Sequence, residues 1–279
     1  MLTVMSQNAQ YGADKDGRWK GMVDVIRDVG PDLLALQEVD WLRHWWKRRK
    51  AERALGMRIV VAPSRQLNVA VAWNPKALRH LDTDTRYSKT DMHHGHCAPR
   101  FQPLALEREL PKPLVFASTH LTPYSVEAAA QEAQLLCARL YRYGGLGLGV
   151  GDINHVPLGD DEPDWTKVQA HNWASRCLRR RTAADPWRGH RLVGEVLRDG
   201  DLTDVCSHVA QRMGDFSLRQ LTGKAGLIRT DQAHVTPALV PAIQNNYRRI
   251  DPGPHTDHWG IAFSLDLDSV DTSLAPDYA

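Results

Sequence analysis

Leu146-Gly147-Leu148-Gly149-Val150-Gly151-Asp152-Ile153-Asn154 is the stretch whose reading decides the fold. Its apolar part reads as a short buried strand, and its end presents an acid and an amide two residues apart. In extended backbone, residues i and i+2 face the same side. Asp152 and Asn154 are therefore expected to share one face at the strand's end. Gly151 lets backbone or ligand approach closely. An acid–amide pair in that place suits a metal ion or a phosphate. Asp and Asn also favour chain reversals for local reasons, so the stretch alone divides between a site and a turn.

Working outward, other strands end on polar residues too. Residues 2–8 alternate and stop at Gln7-Asn8. Trp19, Met22, Val23, Ile26 and Val29 fall at helical spacing and predict a helix over 17–29, stopped by Gly30-Pro31. Residues 32–39 read as a buried strand ending in Gln37-Glu38. This strand–helix–strand unit predicts a parallel pair joined by a crossover. Strands are expected over 57–63, 68–74, 103–110 and 113–121, the last ending in His120-Leu121. A helix over about 125–142 follows, with Ser125 as its N-cap. Residues 157–200 read as loop with two helices. A strand over 232–236 follows Arg229-Thr230-Asp231, and a last strand over 259–265 follows Thr256-Asp257-His258. Residues 1–268 are expected to form one domain, and 269–279 a flexible tail.

Hydrophobic content of 42% and charged content of 24% fit an ordinary soluble globular protein. No apolar run reaches membrane-spanning length, and the start lacks the pattern of a signal peptide. The cysteines at 97, 137, 177 and 206 have no metal-knuckle spacing and read as reduced thiols in a cytoplasmic protein. A formal net charge of +2 does not announce a nucleic-acid binder, so any such surface must be local. One candidate is the predicted helix 41–55. There Trp41, Trp45 and Trp46 accompany Arg43, Arg48 and Arg49, a mixture able to stack on bases and meet phosphates. The competing reading buries the tryptophans and leaves the arginines in water. The arginines at 176, 179, 180 and 181 are a second candidate. Residues 82–102 resist assignment. Their His93, His94 and His96 suit either a transition metal or a mobile, substrate-facing loop, with no i, i+4 pair or adjacent carboxylate to fix a metal.

Asn8, Glu38, His120, Asp152, Asn154, Asp231, Asp257 and His258 thus lie at strand ends or beside them, where layered sheet folds collect their chemistry. The motifs are Ser6-Gln7-Asn8, Leu36-Gln37-Glu38-Val39, Ser118-Thr119-His120-Leu121, Gly151-Asp152-Ile153-Asn154, Arg229-Thr230-Asp231 and Thr256-Asp257-His258. In this order and spacing the chain resembles the endonuclease/exonuclease/phosphatase superfamily. That superfamily includes deoxyribonucleases, AP endonucleases, sphingomyelinases and inositol phosphatases. The resemblance implies an α/β fold, a four-layer α/β sandwich with two central mixed sheets flanked by helices. It also implies a metal-dependent phosphodiester hydrolase. Glu38, Asn8 and Asp257 would hold Mg²⁺, with Mn²⁺ able to stand in. Asp152 would position or deprotonate water, and Asn154 would donate to a phosphoryl oxygen. His258 would contact the scissile phosphate or act in acid/base chemistry, Asp231 would orient it, and His120 would serve the leaving group.

Departures narrow the branch. AP endonucleases carry a lysine soon after the strand-end glutamate and a tyrosine-containing motif at His120. Here Val39-Asp40 follows the glutamate. Inositol polyphosphate phosphatases carry tryptophan where this chain has Val150. The group with a Thr-His-Leu strand end remains. A nuclease acting on DNA or RNA is the leading expectation, with Arg100, Trp45 and Arg48 as substrate contacts. A small-molecule or lipid phosphoesterase and a non-catalytic phosphate-binding module are the alternatives. No membrane partner is expected, and a monomer is favoured.

Overall fold

The computed structural model describes residues 1–276 except 105, 108 and 225. Among these residues twelve strands form two six-stranded sheets. The first contains β1 (Leu2–Asn8), β2 (Leu33–Gln37), β3 (Arg58–Val61), β4 (Ala70–Trp73), β11 (Arg248–Ile250) and β12 (Gly260–Leu265), in the order β11-β12-β1-β2-β4-β3. The second contains β5 (Leu78–Asp84), β6 (His96–Pro103), β7 (Leu114–His120), β8 (Gly147–Asp152), β9 (Thr203–Asp204) and β10 (Asp231–Val235), in the order β5-β6-β7-β8-β10-β9. Each sheet is mixed. The parallel pairs β1–β2 and β7–β8 sit inside otherwise antiparallel neighbours. Each parallel pair needs a helical crossover, and α1 (Trp19–Val29) and α3 (Val126–Tyr141) supply them.

Strand periodicity builds the layers. On β2, Leu33 and Ala35 face the second sheet, with Val4, Val71, Phe116 and Leu148 in the shared core. Leu34 and Leu36 face outward onto Met22 and Ile26 of α1 and Ala51 of α2 (Trp45–Leu55). On the other outer face, Val115 and Ala117 of β7 pack on Leu136 and Leu140 of α3 and on Val193 and Leu197 of α5 (Leu192–Asp199). The result is helix, sheet, sheet, helix, the expected four-layer sandwich. Two further helices, α4 (Ala170–Arg176) and α6 (Val205–Met213), lie in the long excursion between β8 and β10.

Several local expectations hold. Gly30 closes α1 in the left-handed conformation, and the Ser125 hydroxyl accepts from Ala128 N at 3.2 Å. Others need correction. The strand expected over 103–110 lies earlier, as β6, so His96 is a buried strand residue. Trp45 and Trp46 are 67% and 53% exposed, so they do not anchor α2. Trp41, just before α2, instead packs edge-on against Trp19, centroids 4.9 Å apart. Residues 269–276, expected in the tail, are held in place. Val270 is buried in the inter-sheet core, and Asp271 N–H donates to the Ala238 carbonyl at 3.0 Å. The rest of that tail, 277–279, lies outside the described residues. Among the described residues no helix is long and apolar enough to cross a membrane.

Candidate active site

Strand register brings the distant motifs together. His120 pairs with Asp152 across β7–β8, and Asp231 pairs with Asp152 across β8–β10. Asn8 lies opposite Gln37 at the matching end of the first sheet. The backbone then bends sharply. Glu38 and Asn154 both adopt left-handed φ values, 61° and 63°, which Asn tolerates readily and Glu does not. Asp152 and Asn154 accordingly do not share a face by strand alternation. Asn154 folds back and donates its N–H to Asp152 Oδ1 at 3.0 Å. Gly151 sits at φ 153°, and a Cβ there would lie 1.9 Å from the Thr119 carbonyl oxygen. No other residue allows β7 and β8 to converge at this point.

Asp152 Oδ2 is the hub. It accepts from Asn8 Nδ2 at 3.1 Å and lies 3.5 Å from His120 Nε2 and 3.8 Å from His258 Nε2. Asn8 Nδ2 also reaches Glu38 Oε1 at 3.2 Å, and Glu38 Oε2 accepts from Tyr11 N at 2.6 Å. Behind His258, Asp231 Oδ2 lies 2.9 Å from Nδ1, and Thr230 Oγ1 donates to the same oxygen. Asp257 Oδ1 is 4.0 Å from His258 Nε2 and has no hydrogen-bond partner among the described residues. Glu38, His120, Asp152, Asn154 and His258 line a cavity of about 500 Å³ together with Tyr11, His94, Tyr124 and Arg176, while Asn8 and Asp231 back them from behind.

The electrostatics are lopsided. Among the described residues, no lysine or arginine forms an ion pair with Glu38, Asp152 or Asp231. Burial raises the Glu38 carboxyl above its ordinary value, although Tyr11 N–H and the nearby His258 favour its ionised form. Burial works against a charge on His258, but the Asp231 and Asp152 carboxylates outweigh it and hold its pKa up at about 10. Burial, aided by the like charge of His258, pushes His120 down to about 3, so its imidazole is neutral. One cationic and one neutral imidazole therefore flank Asp152.

This donor set fits a hard divalent cation. Glu38 and Asp152 converge on the Asn8 side-chain amide, whose oxygen would face a cation between them with the amide turned over, and Asp257 offers an unpartnered oxygen nearby. Among the described residues no three His, Cys, Asp or Glu side chains form a ready-made cage. Mg²⁺ characteristically uses one or two carboxylates and keeps its waters.

Of the residues expected in the site, Asn8, Glu38, His120, Asp152, Asn154, Asp231, Asp257 and His258 converge. Arg100, Trp45 and Arg48 do not line the cavity. Arg100 is a correction with a clear cause: its guanidinium is paired with Asp82 and stacked over Tyr143 at 4.0 Å. Two residues enter that sequence reasoning held only as members of wider candidate regions, the 176–181 arginines and the 93–96 histidine loop. Arg176 is buried, with Nη2 donating to Asn154 Oδ1 at 3.1 Å and Nε without a partner among the described residues. Its place in an arginine-rich run was the only available signal. His94 stacks on His120, centroids 4.1 Å apart and planes at 23°. Its loop is fixed, because the buried Glu132 carboxylate accepts from both His93 N and Thr122 N at 2.7 Å.

No family model matches the chain, and no curated protein matches it. Solved structures do. An AP endonuclease from Archaeoglobus fulgidus is similar at a TM-score of 0.62 and 16% identity, covering 95% of this chain and 100% of that one. The 3′ phosphatase NExo from Neisseria gives 0.61 and 16%, with the same coverage. ANGEL2, a 2′,3′-cyclic phosphatase, gives 0.59 and 13%, covering 96% and 95%. The chain thus has the endonuclease/exonuclease/phosphatase fold along nearly its whole length. Its six motifs occupy the shared rim of the two sheets.

Proposed function

We propose that this protein is a divalent-metal-dependent phosphodiester hydrolase, an Mg²⁺ enzyme acting on nucleic acid. The observation that carries the reading is the convergence on Asp152 Oδ2 of an amide and two imidazoles from different strand ends, beside a second carboxylate with no basic partner. In-line displacement at phosphorus needs an aligned water, neutralised phosphoryl oxygens and help for the leaving oxygen. A bound divalent ion supplies charge neutralisation and water activation. Glu38, Asn8 and Asp257 are the groups to hold it. Asp152 accepts a hydrogen bond from the attacking water and orients it. His258, fixed through Nδ1 by Asp231, presents Nε2–H to a phosphoryl oxygen, and Arg176 adds a buried positive charge beside Asn154. His120, neutral and against Asp152, is placed to serve the leaving oxygen. Nucleic acid as substrate is supported by similar structures solved with a product DNA hairpin and a single-strand DNA product. Four buried, free cysteines support a reducing, cytoplasmic setting.

The test is turnover of plasmid DNA, single-stranded DNA, RNA and a chromogenic phosphodiester, with Mg²⁺ or with EDTA, beside Asp152→Ala. Metal-dependent cleavage that Asp152→Ala abolishes is expected. Cleavage of the small ester alone would turn the reading towards a small-molecule phosphoesterase. No turnover of any substrate would sink the enzyme.

A further inference from the structure

The catalytic cavity does not end at Arg176. Across Tyr124, Ala174 and Ser175 it borders a second cavity of about 600 Å³, reaching Arg179 and His190. Across Leu178 and Arg179 that one borders a third, of about 400 Å³, walled by Arg180, Arg181 and Arg188. The chain builds this extension from a single excursion. α4 leaves the site at Arg176, and a bridge between Cys177 and Gly189 closes a loop over 178–188. Arg180 braces the loop by donating to the Ala183 and Asp185 carbonyls and stacking over Trp187 at 3.9 Å. Arg179, Arg181 and Arg188 are exposed, with no side-chain ion pair among the described residues. The acids in the two outer cavities are Glu127 and Asp185, against four arginines. Tyr124, 65% exposed, stands where the first two cavities meet.

We infer that this excursion is a binding track for a single-stranded polynucleotide, which runs from the catalytic rim past Tyr124 to Arg179, Arg181 and Arg188. The inference rests on the hydrolase reading and names its substrate class. A small phosphoester fills only the first cavity, whereas three adjoining cavities with a basic far end take a polyanion several phosphates long. Tyr124 offers a face on which an unpaired base stacks, and the arginines meet the backbone, the combination that binds single strands without sequence preference. The cavity around Asp160, Asp161 and Glu162 shares no lining residue with the catalytic one, and its Arg229 is already paired with Asp160, so it does not continue the track.

The experiment compares a 20-nucleotide single-stranded oligonucleotide with a chromogenic phosphodiester, using wild type, Arg179→Glu/Arg181→Glu/Arg188→Glu and the milder triple glutamine variant. For the charge reversal, KM for the oligonucleotide is expected to rise at least tenfold, and kcat/KM for the small ester to stay within twofold. The glutamine variant should fall between and should flatten the salt dependence of affinity by roughly 0.7 in log–log slope for each phosphate it no longer neutralises. Arg48→Glu/Arg49→Glu on α2 should change neither substrate. Equal loss on both substrates, no loss on either, or an effect from α2 alone would overturn the track. If wild type turns over nothing, the hydrolase reading fails by itself. The track is then decided by fluorescence anisotropy of a labelled single strand: weaker binding by the reversal variant supports it, and equal binding overturns it.

Discussion

Arg229 and Asp231 are two residues apart at the start of β10, and both are buried, yet they belong to opposite kinds of charge cluster. Arg229 is enclosed. Its Nε and Nη2 donate to Asp160 at 2.8 and 2.9 Å, and Nη2 and Nη1 donate to Asp204 at 2.6 and 3.2 Å. Asp204 in turn caps α6 through Cys206 N and Ser207 N. Asp231 has one oxygen on His258 and the other, Oδ1, without a partner among the described residues, in a rim whose one arginine, Arg176, reaches Asn154 and not a carboxylate. A burial penalty that is met in full marks scaffold; one left partly unmet persists where a ligand completes it. The difference separates the residue that holds the long β8–β10 excursion to the sheet from the residues that do chemistry.

The comparison breaks most visibly if the rim turns out to be structural. Asp152→Asn removes a charge from the hub without changing its shape. Turnover of the phosphodiester substrate should fall by at least ~1000-fold, about 4 kcal/mol in the barrier, and the melting temperature should stay within a few degrees of wild type. Unfolding of this variant would instead make Asp152 a scaffold residue. Arg229→Ala should do the reverse. It strands two half-buried carboxylates, a change that costs up to about 3–5 kcal/mol, and each kcal/mol lowers the melting point of a protein of this size by roughly 2–4 °C. Thermal unfolding checks that figure. The protein that remains folded should retain its kcat.

How much of this was legible in the sequence differs between the two clusters. The rim was legible because its residues sit at strand ends, where polar groups after apolar runs stand out: Asn8, Glu38, His120 and Asp152 all follow buried stretches. The closed cluster was not, because Asp160 lies 69 residues and Asp204 25 residues from Arg229 along the chain. Only the fold brings them together, and Arg229 was visible merely as part of a motif with Asp231. Substrate contacts were the weakest expectation for the same reason. Arg100 looked free in sequence, but a β-bulge opposite β6 brings Asp82 beside it. The tryptophans of α2 read either as a stacking surface or as core, and the helix turns Trp45 and Trp46 to solvent, away from the cavity. The β5–β6 region resisted assignment because the edge strand β5 carries Arg79, His80, Asp82 and Asp84 and lacks the apolar signature of an interior strand.

Acid sharpens the contrast within the scaffold. His234 is buried beside the closed cluster, with Nε2 on Gln232 Oε1 at 3.0 Å. Burial pushes its pKa down to about 4, Asp204 opposing and Arg229 reinforcing the shift. The folded pKa lies below the unfolded value of roughly 6.5, so the neutral form is the one that folding favours. Its stability is complete above about pH 6.5 and is lost as pH falls towards 4. At pH 4.5 the loss from this residue comes to roughly 2–3 kcal/mol. Urea unfolding at pH 7 and pH 4.5 should show that drop in wild type and a smaller one in His234→Gln, whatever the substitution costs at pH 7. Equal drops would mean that the residue does not titrate with folding.

The smallest effect asks the most direct question, whether the open cluster is open to a cation. Ligand binding to the folded state alone stabilises it by RT ln(1 + [L]/Kd), about 2.7 kcal/mol at a hundredfold excess over Kd. Saturating Mg²⁺ should therefore raise the melting temperature by roughly 5–10 °C, with no substrate present and no turnover to read. Glu38→Gln should remove most of that rise, because it neutralises the rim carboxylate whose charge burial already disfavours. Asp160→Asn, which weakens an acid already paired with Arg229, should lower the starting melting point and leave the Mg²⁺-induced rise intact. A rise that survives Glu38→Gln and disappears in Asp160→Asn would reverse the assignment. The cluster around Arg229 would then be the one that takes up metal, and the rim would owe its unpaired carboxylates to something other than a missing cation.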